Sequence, residues 1–419
     1  MALHSLSLRL HPSSPPAAPE RRRSRRLLKA LVVALAALVL VVGATALRSW
    51  GEPSGPSILT ALASNGFFLL VDDSMAVGHA NHTATVLADG RVLVAGGGES
   101  ATGPARAAAE LYDPTSGDFS LTGSMLIGRT DHSATLLADG RVLIAGGFYT
   151  PTARTAAAEL YKPLTGTFSL TGALPFAQAD QSAVLLPNGL VLVVGGTNEA
   201  GMPIGTAALY DPTKGVFVST GSPLVPRLGQ TATLLPDGKV LLAGGGWDGI
   251  ALSDIAELYD PASGTFSRTG DMVVPRLDQT ATLLADGRVL LAGGHDGAGN
   301  VIASAELYDP ATGTFTATGT MAAARAGHTG TRLPDGQVLV AGGADSHGRI
   351  SSAEIYDPAS GVFTPTSALT FARAQAAAVL LSDGDVLLTG GTDPADPFAA
   401  RTAERFMPTP DPLTISSTP

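Results

Sequence analysis

The chain has 419 residues, 45% hydrophobic and only 15% charged, with 50 Gly, 29 Pro and no Cys. That composition supplies a core and many tight turns, which excludes a wholly disordered chain; the missing Cys excludes disulfides, thiolate metal sites, a lipidated cysteine and thiol nucleophiles. Residues 1–48 hold 8 of the basic residues and one acid, so the remainder has 18 basic and 35 acidic residues, a net charge of −17 that repels nucleic-acid phosphates.

His11–Glu20 (HPSSPPAAPE) is polar and Pro-rich, which predicts disorder. Arg21–Arg26 (RRRSRR) precedes Leu27–Leu47, whose last 18 residues, from Ala30, carry no charge and are long enough to cross a bilayer. Dense arginine before the span puts the N-terminus in the cytoplasm and everything after it outside. The expectation is a basic cytoplasmic tail over 1–26, a transmembrane anchor over 27–47 that ties the chain to the cell membrane, and a linker over 48–64. The alternative is a cleaved signal sequence with Ala44-Thr45-Ala46 at its end, giving a secreted protein. Ser24–Lys29 faintly resembles a twin-arginine signal, but its apolar and Lys positions are out of order.

Beyond the linker one unit recurs. Asp89–Gly97 (DGRVLVAGG) returns with small changes, and the Gly pairs begin at Gly96, Gly146, Gly195, Gly244, Gly293, Gly342 and Gly390, 48 to 50 residues apart. A fixed period of this length predicts stacked supersecondary units that bury apolar faces on their neighbours. Seven phosphate-cradling loops in one chain are no credible alternative.

Each unit reads as four short strands. In the second unit His132–Leu137 (HSATLL) alternates, a DG turn follows, and Arg141–Gly147 (RVLIAGG) is a continuous apolar run of the kind buried on both faces. After a variable loop come Ala158–Pro163 (AELYKP) and, past another turn, Gly166–Leu174 (GTFSLTGAL) with Phe168 as its anchor. Four antiparallel strands per unit make a propeller blade.

The pattern of a Gly pair after an apolar strand, a Tyr in YDP and an aromatic on the fourth strand resembles the kelch repeat, in all seven units over residues 66–408. The resemblance implies an all-β fold: a seven-bladed propeller over 65–408. The family's fourth-strand Trp is Phe here, at Phe119, Phe168, Phe217, Phe266, Phe315 and Phe363, and Phe406 replaces the Tyr of the last unit. Asn65–Met75 (NGFFLLVDDSM) has the Gly and Phe of a fourth strand, so it is expected to close the seventh blade; the alternative outer strand is Leu413–Ser416 (LTIS) in the 409–419 tail.

Loops from fourth to first strand and from second to third are expected on one face, around the central channel. Before each first strand stands His79, Arg129, Gln178, Arg227, Arg276, Arg325 or Arg373. In kelch substrate adaptors arginines at similar positions grip acidic peptides, and that resemblance implies a cationic mouth for carboxylate ligands. The competing reading is an intrablade pair with the Glu of AEL (Glu110, Glu159, Glu257, Glu306, Glu354, Glu404), because the unit that has Gln178 also has Ala208 in the Glu slot. Three residues on, His82, His132, Gln181, Gln230, Gln279 and His328 share one slot, which points to a common hydrogen-bonding role rather than metal.

The loops between second and third strands diverge, and divergent loops on a rigid scaffold carry function. Phe148, Tyr149 and Trp247 there are expected either to anchor a partner or to cap a neighbouring blade. Asp248, His295, Asp296, Asp345 and His347 have metal-ligating chemistry, although no metal or other cofactor is expected. The repeat also resembles the central propeller of galactose oxidase, whose copper site needs a Cys-linked Tyr, a second Tyr and two His. With no Cys, and six of seven Tyr in the LYDP slot, that radical chemistry is excluded. No sialidase-type Asp box, G-x-S-x-G elbow or zincin His pair appears. The expected function is therefore a monomeric, extracytoplasmic binding or scaffold protein for a protein or glycan, with ligand candidates Arg129, Arg227, Arg276, Arg325, Arg373, Phe148, Tyr149, Trp247, His295, Asp296 and His347. The alternative is a carbohydrate-active enzyme (epimerase, lyase or hydrolase) at the channel mouth, which would show perturbed carboxylates or His there.

Overall fold

A computed structural model describes residues 65–408, apart from 73, 101–102, 247–251, 395 and 397. The anchor or signal expected over 27–47 and the tail from 409 lie outside the described residues. Among the described residues no helix is long and apolar enough to cross a membrane.

Seven four-stranded antiparallel sheets form the seven blades. Blade two is typical: Ser133–Leu136, Val142–Ala145, Ala158–Lys162 and Thr167–Leu170, each pairing with the next. Blade seven takes its inner three strands from Ala377–Leu380, Val386–Thr389 and Ala403–Met407 and its outer strand from Phe67–Leu70, with Phe67 opposite Met407. The ring is thus closed by the N-terminal strand, the place where Leu413–Ser416 was the alternative.

The second strand of every blade is buried along its whole length, because its alternate side chains face two different blades. Leu93 and Ala95 pack on Val142, Ile144 and Tyr161 of blade two, whereas Val92 and Val94 pack on Leu381 and Leu387 of blade seven. Such clusters occupy all seven junctions, so the core is a set of layers between blades. Burying one Leu or Val side chain stabilises by about 1.5–3 kcal/mol.

The Gly pair sets the blade spacing. A Cβ on Gly146 would stand 2.7 Å from Gln178 O of the next blade, and one on Gly147 would stand 2.6 Å from Thr130 O of its own. Both glycines have positive φ, +65° and +99°, so neither space nor backbone admits a side chain.

A second device links blades at the outer edge. Thr122, Thr171, Thr220, Thr269 and Thr318 each hydrogen-bond the Tyr hydroxyl of the following blade, at 2.7 to 2.9 Å. Both junctions of the closing blade depart from this. Thr366 faces the hydroxyl-less Phe406 and donates instead to Asn65 O and Gly66 O, while Val71 takes the Thr slot before Tyr112. Arg405, in a slot that is Leu or Ile in the other blades, forms ion pairs with Asp383 and Asp385 at that seam.

Candidate functional site

The loops from fourth to first strand and from second to third do share one face. Isolated backbone bridges zip them together, among them Ala80 to Gly98, Thr130 to Phe148, Ala179 to Thr197, Leu277 to His295 and Ala374 to Thr392.

Beneath that face the arginines are buried. Arg129, Arg227, Arg276, Arg325 and Arg373 are 0–1% exposed and pair with Glu159, Glu257, Glu306, Glu354 and Glu404 of their own blades at 2.7 to 2.8 Å. Each guanidinium also donates to the first carbonyl of the Gly pair, as Arg129 Nη1 does to Gly146 O at 2.7 Å. Each Glu accepts in turn from the backbone of the incoming loop: Glu257 takes Leu224 N–H at 2.7 Å and Val225 N–H at 3.3 Å. The arginines are thus internal fasteners between loop, second strand and third strand, not a cationic mouth. A ligand carboxylate would have to displace a buried Glu to reach them. In blade one, His79 spans Gly96 O and Glu110 in the same way; in blade three Gln178 keeps only the weaker bond to Gly195 O, at 3.5 Å.

The slot three residues later also serves packing. His82, His132 and His328 pair with Thr389, Thr83 and Thr280 of the preceding blade, and Gln181, Gln230 and Gln279 donate to Ala145 O, Val194 O and Ala243 O. Burial holds the imidazoles of His132 and His328 down at about 3, so they stay neutral.

The residue between these two slots was not singled out by sequence. Asn81, Asp131, Asp180, Gly229, Asp278, Gly327 and Gln375 all have φ between +52° and +61°. This left-handed step turns the chain from the face into the inner strand, which is why Asn, Asp and Gly dominate it. Backbone bonds run from one to the next around the channel, including Asp131 N–H to Asn81 O, Asp180 N–H to Asp131 O and Gln375 N–H to Gly327 O. The recurrence of Asx or Gly just before the His/Gln slot was the available signal.

Three carboxyls therefore gather at the mouth. Burial first, and the neighbouring Asp180 second, push Asp131 up to about 7. Burial also raises Asp180, which accepts a bond from Thr197 Oγ1 at 3.2 Å, and Asp278, which faces His295 at 3.5 Å. Asp180 is exposed as well and Asp278 is 47% exposed, so water screens both and the effect rests mainly on the half-buried Asp131.

The loop candidates separate. Phe148 lies under the Arg154 guanidinium at 4.5 Å, whereas Tyr149 is 48% exposed. Asp296 ties its own loop through Ala298 N–H and Asn300 N–H, and His347 is 90% exposed beside Asp345. His295, Asp296 and His347 thus do not converge, and among the described residues no three His, Cys, Asp or Glu side chains could jointly hold a metal. Trp247 and Asp248 lie outside the described residues.

The kelch motif family matches residues 279–322, which span blade five. Among solved structures a fungal alcohol oxidase of the AA5 family, in complex with copper, is similar with a TM-score of 0.67 and 19% identity, over 82% of this chain and 76% of that one. That likeness is one of fold. The donors here do not fit copper: there is no Cys, and Tyr112, Tyr161, Tyr210, Tyr259, Tyr308 and Tyr356 are buried between blades. No curated protein matches the sequence.

Proposed function

We propose that this chain, a kelch-repeat β-propeller of seven blades, is a non-catalytic binding module that presents its loop face to a protein or glycan outside the cytoplasm, held to the membrane through residues 27–47. One observation carries the reading. The seven blades share most of their buried apolar core, while large exposed side chains stand on the loop face where the repeats differ: Tyr149 (48% exposed), Met202 (48%) and Phe398 (68%). Exposed aromatics on a rigid frame are typical anchors for a partner.

Pull-down and glycan-array screening with the full chain tests this. Tyr149→Ala and Met202→Ala are expected to weaken the captured partner at least tenfold without lowering the melting temperature. A partner indifferent to both, but lost on Leu164→Asp in a turn at the opposite end of blade two, overturns it.

The second reading, a carbohydrate-active enzyme, is favoured by the mouth carboxyls alone. An Asp that holds its proton up to about 7 has the poise of a general acid, with Asp180 and Asp278 near it. Cleavage or epimerisation of a glycan by the wild type, lost in Asp131→Asn with binding retained, selects this reading.

A further inference from the structure

A cleft of about 370 Å³ opens on the loop face where blade seven meets blade one, lined by Gly78, Glu99, Phe398, Ala400 and Arg401. Its walls are fixed by backbone: His79 N–H donates to Ala400 O at 2.8 Å and Met75 N–H to Arg401 O at 2.9 Å. These bonds hold the 3-10 turn Ala399–Arg401, from the second-to-third-strand loop of blade seven, against the segment leading into blade one. Gly78 permits the approach, since a Cβ there would stand 3.0 Å from Glu99 Cγ and 3.3 Å from Ala400 Cβ. No other blade carries the sequence Phe398–Arg401 in this loop.

The polar groups of the cleft are pre-positioned. Arg401 Nη2 and Arg106 Nη2 meet Glu99 Oε1 at 2.6 and 2.9 Å. Arg401 first, and Arg106 with it, hold the Glu99 carboxyl below its usual range, so it stays an acceptor. All three side chains remain 34–45% exposed, and Phe398 at the rim is 68% exposed.

A pyranose ring has an apolar face of C–H groups and an edge of vicinal hydroxyls, each both donor and acceptor. An exposed aromatic ring takes the face, and a guanidinium beside a carboxylate takes the edge, Arg donating and Glu accepting. An anion fits less well, because Glu99 sits between the two guanidiniums. The volume lies at the small end of ligand pockets, in keeping with one or two sugar rings. We infer that this cleft binds a neutral pyranoside, stacked on Phe398 and hydrogen-bonded to Glu99 and Arg401. The inference rests on the loop face being the recognition surface and names a place and ligand class within it.

The test is saturation-transfer NMR on the full chain with methyl glucopyranosides, galactopyranosides, mannopyranosides and N-acetylglucosaminides, cellobiose and lactose. At least one of these is expected to receive saturation on one ring face. Phe398→Ala and Arg401→Gln should each weaken it at least tenfold, with unchanged melting because both side chains are exposed. Saturation that survives both substitutions but disappears in Tyr149→Ala overturns the cleft and leaves the loop-face reading standing. No saturation from any of these sugars, or stronger binding of inorganic phosphate or glucuronate, also overturns the cleft; the wider reading is then decided separately by the protein pull-down.

Discussion

Replacing Glu257 with Ala tests the fasteners directly. Glu257 accepts four hydrogen bonds, from Leu224 N–H, Val225 N–H, Arg227 Nε and Arg227 Nη2, and neither it nor Arg227 is exposed to water. Its removal leaves a guanidinium buried without a counter-charge, and breaking one side of a buried pair costs about 3–5 kcal/mol. At roughly 2 °C per kcal/mol for a domain of this size, the melting temperature should fall by about 6–10 °C. The double variant Arg227→Gln, Glu257→Ala copies the Gln178 and Ala208 of blade three, so no charge is stranded and Gln retains a donor for Gly244 O. It should melt several degrees above Glu257→Ala alone. Thermal melting by circular dichroism, with a urea titration for the free energies, reads all three variants including Arg227→Gln. If Glu257→Ala melts within 1 °C or so of wild type, or the double variant melts below it, the fastener argument is wrong.

Two further outcomes follow from the packing. Asp131 sits near 7 in the folded protein against about 4 when unfolded, so between those values the native state holds a proton that the unfolded chain has released. The Asp131 contribution to stability therefore falls as pH rises from about 4 to about 7 and is level above, opposite in sign to that of the buried neutral His132 and His328. Asp131→Asn should thus make stability rise more steeply with pH than wild type in urea titrations across the range; an unaltered slope places the titration elsewhere. Thr220→Val strands the buried Tyr259 hydroxyl, reproducing the junction where Val71 precedes Tyr112, and should cost about 1–2 kcal/mol by urea denaturation. No change there would show that the outer-edge hydroxyl pairs lock register without adding stability.

Much of this molecule is written locally and repeated. The 49-residue spacing of most Gly pairs, the DG and YDP turns and the apolar second strand each follow from short-range chemistry, and repetition amplifies a weak pattern into a fold. The N-terminal outer strand was legible for the same reason, since Asn65–Met75 carries a blade's fourth-strand signature without the other three. Even the Arg–Glu fastener left a trace, the joint change to Gln178 and Ala208.

What sequence could not decide was which polar groups face water. An arginine one residue from a loop reads alike whether it is buried or displayed; only the closed ring, packing the Gly pair against the next blade, puts Arg227 out of solvent at 0% and Leu224 into it at 59%. The mouth carboxyls and the Phe398 cleft depend on distance in the chain. Asp131, Asp180 and Asp278 are neighbours because seven blades share one axis, and Arg401 reaches Glu99 across 302 residues because closure brings the last loop against the first. Local chemistry determined the blade, and the geometry of the ring determined where a ligand can be met.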